Sequence, residues 1–402
     1  MSHGPSSVPE GGAAARIDAI DALRGFALVG ILFINITSMG GPIASEQPAG
    51  SPALADPDWV VWLTSHLFVY GAMRGIFSIL FGASALLFLR ELSRSRGLFV
   101  RRCFWLLCFG ALNGTVLLWP GDIRLIYALA SPVVLLFLDA PPRRLFGGAF
   151  ALLLLFAAWK YALHGAQAPT GSEAAEAAEA ANALALERAA RLGSYLDNLR
   201  FMSGVSADWT FTLHLVPWIA EAAAFMLIGM ALFRSGLLSG TASTTVYRKL
   251  AVVGMGVGLP IRAWEAALAW GADGDFLAIT DFTSQVGRLA VTLGWIGLFM
   301  LAWRLAPGRA PFEPLRALGR MAFTGYLLQS VLAALLFSGF GLGLWGRLGW
   351  PQLWALVPVL MLPMALAFMA WLRVFRMGPL EWLWRWLTFG RAPSLGRTSA
   401  AP

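Results

Sequence analysis

Charge is what this chain has least of. Only 13% of its 402 residues are Asp, Glu, Lys or Arg, against about 25% in an ordinary soluble domain. Fifty-eight percent are apolar and the mean hydropathy is +0.68, so a globule in water is excluded. The same arithmetic removes disordered and collagen-like classes. Cysteine is scarce: Cys103 and Cys108 lie five apart on one predicted helix, about 140° round its axis, which excludes a disulfide framework. No His, Cys or carboxylate spacing suits a metal, and neither H-E-x-x-H, G-x-S-x-G nor a phosphate-binding P-loop occurs. Lysine is nearly missing, Lys160 and Lys249 being the two against a background of arginine. These arginines are scattered between apolar runs with no aromatic-interleaved basic cluster, so a net charge of +8 does not imply nucleic acid.

Apolar runs dominate instead. Ten are long enough for about 30 Å of hydrocarbon: 23–39, 59–89, 103–119, 122–138, 145–163, 211–233, 249–270, 281–303, 317–337 and 352–373. The expected fold is an all-α, polytopic membrane helix bundle of about ten spans with N- and C-termini cytoplasmic. Residues 1–16, without the layout of a cleavable signal, read as a flexible cytoplasmic tail, 17–376 as the transmembrane bundle and 377–402 as a cytoplasmic C-terminal segment. The run 59–89 is too long for one upright helix and must tilt, break near Gly71–Gly75 or cross twice. With the N-terminus inside, nineteen loop cations fall on the inner side. Four, Arg188, Arg191, Arg200 and Arg347, fall outside, which sets the orientation. The outer connection 164–210 holds an Ala- and Glu-rich stretch from Glu173 that predicts a short external helix.

Ionisable residues inside apolar runs cost about 2.5–3.5 kcal/mol each on insertion scales and must pair or line a wet cavity. Asp122, Arg124, Glu221, Arg262, Glu265, Asp281 and Arg288 all trace to the outer half. Asp281, Gln285 and Arg288 share one helix face, as do Arg262 and Glu265. One outward-opening polar chamber is expected; the plainer alternative is ion pairs that only hold the bundle together. Arg24 lies near the inner edge of the first span and Asn35 near its outer edge, about 16 Å apart along a helix. Arg24 could grip phosphate bidentately or snorkel to headgroups. Arg320 opens the ninth span at the inner side, followed by a Tyr326, Gln329, Ser330 stripe that suits interhelical hydrogen bonds. His66 and His214 have the depth of a base facing the chamber.

Several blocks resemble the YeiB-like bacterial membrane proteins, a family of unassigned function. They are Asp21-Ala-Leu-Arg24-Gly25 through Asn35, Met73-Arg74-Gly-Ile-Phe77-Ser78, Leu118-Trp119-Pro-Gly121-Asp122, Glu221 to Met230, Gly319-Arg320-Met321 with Tyr326 and Gln329, and Phe375 to Arg385. More remotely, this family is similar to the transmembrane acyltransferase superfamily that includes the lysosomal heparan glucosaminide N-acetyltransferase. The resemblance implies acyl-coenzyme A held from the cytosol and an acceptor modified on the other side. Members carry histidine near the outer end of span one and before the Trp-x-Gly-Asp block, where this chain has Asn35 and Asn113. A base must then come from Glu221, Asp122, His66 or His214. Arg24, Arg74 and Arg320 would hold the donor phosphates and Arg262 or Arg288 the oxyanion. Asn35, Asn113, Arg124, Glu265, Asp281, Tyr326 and Gln329 complete the expected donor- or substrate-binding set.

The expected function is therefore acyl transfer in the bacterial inner membrane, with acyl-coenzyme A as donor, no metal, and a small-molecule or envelope acceptor. The lipid bilayer is the expected surrounding partner, nucleic acid is not a partner, and homo-oligomerisation is left open. Export of an anionic solute and a noncatalytic lipid-binding scaffold are the rival classes.

Overall fold

The computed structural model describes residues 18–43, 47–91, 95–166, 173–212, 215–271 and 277–396. The expected tail 1–16 lies outside them, as does His214. All described regular structure is helical apart from one backbone bridge between Phe375 and Gly396. Helix is the expected outcome, because in hydrocarbon every backbone N–H and C=O must be satisfied within the chain.

The bundle begins with α1 (Asp18–Gly40), α2 (Pro57–Thr64), a π turn at Ser65–Val69, and α3 (Ala72–Glu91). A hairpin follows of α4 (Arg96–Thr115) with the short α5 (Ile123–Ala130) and α6 (Pro132–Leu136), and then α7 (Pro142–Ala166). The connection that follows holds α8 (Glu173–Leu192) and α9 (Tyr195–Phe211). Then come α10 (Leu215–Arg234), α11 (Thr244–Gly271), α12 (Leu277–Leu305), α13 (Glu313–Arg320), α14 (Ala322–Phe337), α15 (Trp350–Val374) and α16 (Pro379–Phe389). The helix α10 is the central post, 78% buried along its most apolar stretch, whereas α7 is 22% buried and presents its surface to lipid. Helices α11 and α12 pack closely along Gly254 and Gly258, whose spacing in the sequence suits such an approach: a side chain at Gly254 would collide with the backbone of Gly294 at 2.5 Å.

Among the described residues seven helical stretches are long and apolar enough to cross a membrane, eight if the bent pair of α13 and α14 counts as one span. That is fewer than the ten apolar runs, for two physical reasons. Helix α4 opens with Arg96, Arg101 and Arg102, so its charge-free length is short. The run 122–138 is cut at Ser131–Pro132, since proline supplies no N–H to continue a helix. The run 59–89 is a single stretch interrupted in its course, at the position expected: the π turn ends at Tyr70 and Gly71 takes a left-handed φ of 78°.

The connection between α7 and α10 is helical in its described residues, as its composition predicts. Glu187 accepts the Ile43 N–H at 3.0 Å and Arg191 donates to the Met39 carbonyl, which fastens α8 over the open C-terminal end of α1. The C-terminal segment also docks. Glu381 on α16 accepts the N–H groups of Phe323 and Thr324 at 2.8 and 3.0 Å and the Thr324 hydroxyl at 2.6 Å. It thereby caps α14 across the 77° bend from α13.

Burial is the largest influence on Glu187 and pushes its carboxyl pKa up, with the Ile43 N–H and the Arg191 charge pulling it back. A carboxyl whose folded pKa exceeds its unfolded value adds stability that is full at low pH and is lost as pH rises through the folded pKa. Glu187→Gln keeps an acceptor for Ile43 but cannot titrate. Its melting temperature in detergent is expected to fall less than that of the natural chain as pH rises from about 4 to 7. Superimposable pH profiles of the two proteins would refute this.

Candidate functional site

The interruption of the second span creates the site. A π turn widens the helix by one residue, here through the Tyr70 N–H bonded to the Ser65 carbonyl at 2.7 Å, and leaves neighbouring carbonyls to be satisfied from elsewhere. Two side chains do this. Arg262 of α11 donates to the His66 carbonyl from Nε at 3.0 Å and from Nη2 at 2.6 Å, and reaches the Tyr70 carbonyl at 3.5 Å. Trp295 of α12 donates to the Phe68 carbonyl at 2.7 Å. At Gly71 a Cβ would stand 2.7 Å from the Arg288 Cδ, so both the positive φ and the close approach demand glycine.

Ion pairs gather around this break. Glu221, near the start of α10, lies between two guanidiniums: Arg74 Nη2 at 2.5 Å and Arg288 Nη1 at 3.4 Å. Arg74 also sits over the Trp218 ring at 4.1 Å, and Arg288 over the Tyr70 ring at 5.2 Å. Glu265 binds Arg262 Nη1 at 2.9 Å and lies 3.7 Å from His66 Nε2, whose ring stacks on Trp62 with centroids 5.1 Å apart. The cluster is not sealed: the side chains of Arg74, His66 and Arg288 are 21%, 18% and 13% exposed. Arg262, at 2%, is closed off.

A second cluster adjoins it. Asp122 caps α5 by accepting the Arg124 N–H at 2.6 Å and pairs with the Arg124 guanidinium, while Asn113 donates to Asp122 at 2.7 Å. Arg124 packs over the rings of Phe323 and Tyr326. Tyr127 links the two clusters through the Arg74 carbonyl at 3.2 Å and the Ser78 hydroxyl at 2.9 Å. Sequence reasoning passed over Tyr70, Trp218, Tyr127 and Trp295. Ser78, four residues after Arg74 on one helix face, is the available clue to the link.

The other expected residues fall elsewhere. Arg24 pairs with Asp21 at 2.8 Å and reaches the Gly319 carbonyl at 3.3 Å and the Ser84 hydroxyl at 3.2 Å. Arg320, the next residue after Gly319, donates to the Arg376 carbonyl at 3.0 Å. These two arginines therefore share one end of the bundle, but Arg74 does not join them; it lies about 15 Å from Ser84 along α3. Gln329 holds the Leu28 carbonyl of α1 at 3.4 Å, an interhelical bond rather than a ligand contact. Asn35 is half-buried on α1, and among the described residues no hydrogen bond ties it to either cluster. Asp281 lies on α12, but its side chain is outside the described residues.

The geometry sorts the expected roles. Asp122 caps a helix and pairs with Arg124, and Glu221 lies between two guanidiniums. Arg262 spends its Nε and Nη2 donors on the His66 and Tyr70 carbonyls and so staples the interrupted span. The His66 and Arg288 side chains are both part-buried, at 18% and 13% exposure. No group of three metal-ligating side chains occurs among the described residues.

The fold and this site define a polytopic helical membrane protein with an interrupted span held open by ion pairs. The chain belongs to the YeiB family: it is 31% identical to YeiB of Escherichia coli (strain K12) over 387 residues, covering 94% of this chain and 98% of that protein. YxaH of Bacillus subtilis (strain 168) is 29% identical over 93% of this chain and 94% of its own length. A 39.9 kDa protein encoded 3′ of an amylase in Bacillus acidopullulyticus is 26% identical over 94% of each. All three are described as uncharacterised. Residues 232–391 match a family described as a protein of unknown function, DUF418. No solved structure matches the chain.

Glu221→Ala leaves Arg74 and Arg288 facing each other uncompensated in a largely buried place. Removing one partner from such a group costs about 3–5 kcal/mol. The variant is expected to melt well below the natural chain in detergent, and adding Arg74→Met to it is expected to restore part of the loss. An additive double mutant would show that the three charges are not coupled.

Proposed function

We propose that this chain is an acyltransferase-like enzyme of the bacterial inner membrane. It takes an acyl group from cytosolic acyl-coenzyme A and passes it to a small-molecule or envelope acceptor at the opposite face. The observation that carries the reading is two polar sites about 15 Å apart along α3, which meets Arg24 at Ser84 and the ion-pair cluster at Arg74. Arg24, with Arg320 beside it, offers cations at one end for the donor's phosphates. His66 with Glu265, next to Arg288, offers a base and a cation in the other half.

In this reading His66 takes the proton of an acceptor hydroxyl or amine as the acceptor attacks the thioester carbonyl. Arg288 faces the oxyanion, and the coenzyme thiolate leaves with the proton from His66. Glu265 positions the imidazole, and Arg262 positions Glu265. The remote resemblance to transmembrane acyltransferases supports the same chemistry. A second reading, transport of an anionic solute, is favoured by one observation. The outer cluster holds three arginines, Arg74, Arg262 and Arg288, against two carboxylates, Glu221 and Glu265, so it attracts anions.

Thiol release from acetyl-coenzyme A by the protein in nanodiscs tests the proposal. His66→Asn is expected to lower turnover by about 10²–10⁴-fold, with an unchanged melting temperature. Arg24→Ala is expected to raise the KM for the donor with little change in kcat. If the protein neither binds nor cleaves acetyl-coenzyme A, yet gradient-driven anion uptake into proteoliposomes is lost in Arg74→Ala, transport replaces acyl transfer.

A further inference from the structure

A small cavity lies far from both polar clusters, where α3 and α10 end. It has a volume of about 130 Å³ and is lined by Leu86, Arg90, Leu138, Asp139 and Arg234. Volume for about four waters at 30 Å³ each is enough to admit a phosphate group. Two guanidiniums share this small space, and each feels the other's charge. Their repulsion is only partly offset by the single carboxylate of Asp139, which is exposed.

The Arg234 guanidinium is fixed in place. It donates from Nη2 to the Leu138 carbonyl at 2.5 Å and from Nη1 to the Ala140 carbonyl, which hold its plane against the end of the α5–α6 segment. Arg90 stands in the last turn of α3 with an exposed side chain. Immediately beyond, the first turn of α7 holds Arg143 and Arg144 and no acid, the reverse of what a helix dipole favours. Two arginines and one acid thus line a hollow at a bundle end, with Arg143 and Arg144 close along the chain, and the arginine count assigns that end to the cytoplasm. One preset guanidinium, one movable one and an apolar wall from Leu86 and Leu138 make a receptor for a tetrahedral anion carried on an apolar body.

We infer that this cavity is a binding site for a phosphate group, with an anionic phospholipid headgroup at the membrane edge or a soluble phosphate as the two sources of that chemistry. It is independent of the proposed catalytic site and uses none of its residues. The lipid source fits the position at the termini of two spans, where a phosphodiester sits level with the cavity and its acyl chains follow the lipid-facing α7, which packs on α10.

The test uses the full chain purified in a neutral detergent. Native mass spectrometry with dioleoylphosphatidylglycerol and dioleoylphosphatidylcholine measures lipid retention, and melting temperature against added sodium phosphate measures the soluble arm. Preferential retention of phosphatidylglycerol, or a rise in melting temperature with phosphate at constant ionic strength, is expected. Arg90→Ala, whose exposed side chain leaves the Arg234 anchor intact, is expected to weaken that effect at least fivefold. Asp139→Asn, which removes the competing negative charge, is expected to strengthen it. A response to lipid alone assigns the headgroup, and a response to phosphate alone assigns a soluble ligand. Equal retention of both lipids with no phosphate response overturns the inference, as does an effect that neither variant moves. Because acetyl-coenzyme A turnover by Arg90→Ala should match the natural chain, failure here is distinguishable from failure of the enzymatic reading.

Discussion

An unsatisfied carbonyl in hydrocarbon costs several kcal/mol, and the organisation of this bundle follows from how one set of them is paid for. The π turn at Ser65–Val69 releases the carbonyls of His66, Phe68 and Tyr70 from the regular helical ladder, and Arg262 and Trp295 reach across from α11 and α12 to take them up. Arg262 then needs a counter-charge, which Glu265 supplies from one turn along the same helix. Glu265 in turn faces His66. The turn, the staple and the imidazole are thus one connected chain, in which Arg262 holds the His66 backbone and not its ring.

The same constraint explains why the charges occur in chains instead of isolated pairs. Glu221 serves two arginines, which come from α3 and α12, so three helices are fixed relative to one another at a single carboxylate. Tyr127 extends the connection to α5 and the Asp122–Arg124 pair. Each desolvated charge is tolerable because it has a partner, from other helices for Glu221 and from its own element for Arg262 and Arg124. A few side chains remain partly open, and these are the ones able to meet a ligand.

Much of this was legible before any coordinates. Although Arg74 is expected with Arg24 and Arg320, the helical class, the helix after residue 172, a break near Gly71 as one of three options and the gathering of Glu221, Arg262, Glu265 and Arg288 follow from hydropathy and spacing. The number of full spans did not. Hydropathy treats 122–138 as one run, whereas Pro132 divides it, and it weighs the arginines of α4 too lightly against the apolar residues after them. Nor could the pattern tell Arg262 from Arg288. Both sit on apolar helices at similar depth, and only the π turn, which has no compositional signature, decides which one is consumed by backbone.

The cap that Glu381 places on α14 joins groups 57 and 58 residues apart, with the acidic partner on the last helix. A nascent chain therefore inserts its final sharply angled span before the residue that fastens the corner has been synthesised. Maturation of that corner waits until α16 has been made. A chain stopped short of α16 would enter the bilayer with most of its helices present and one joint unlatched, a state quality-control proteases could recognise.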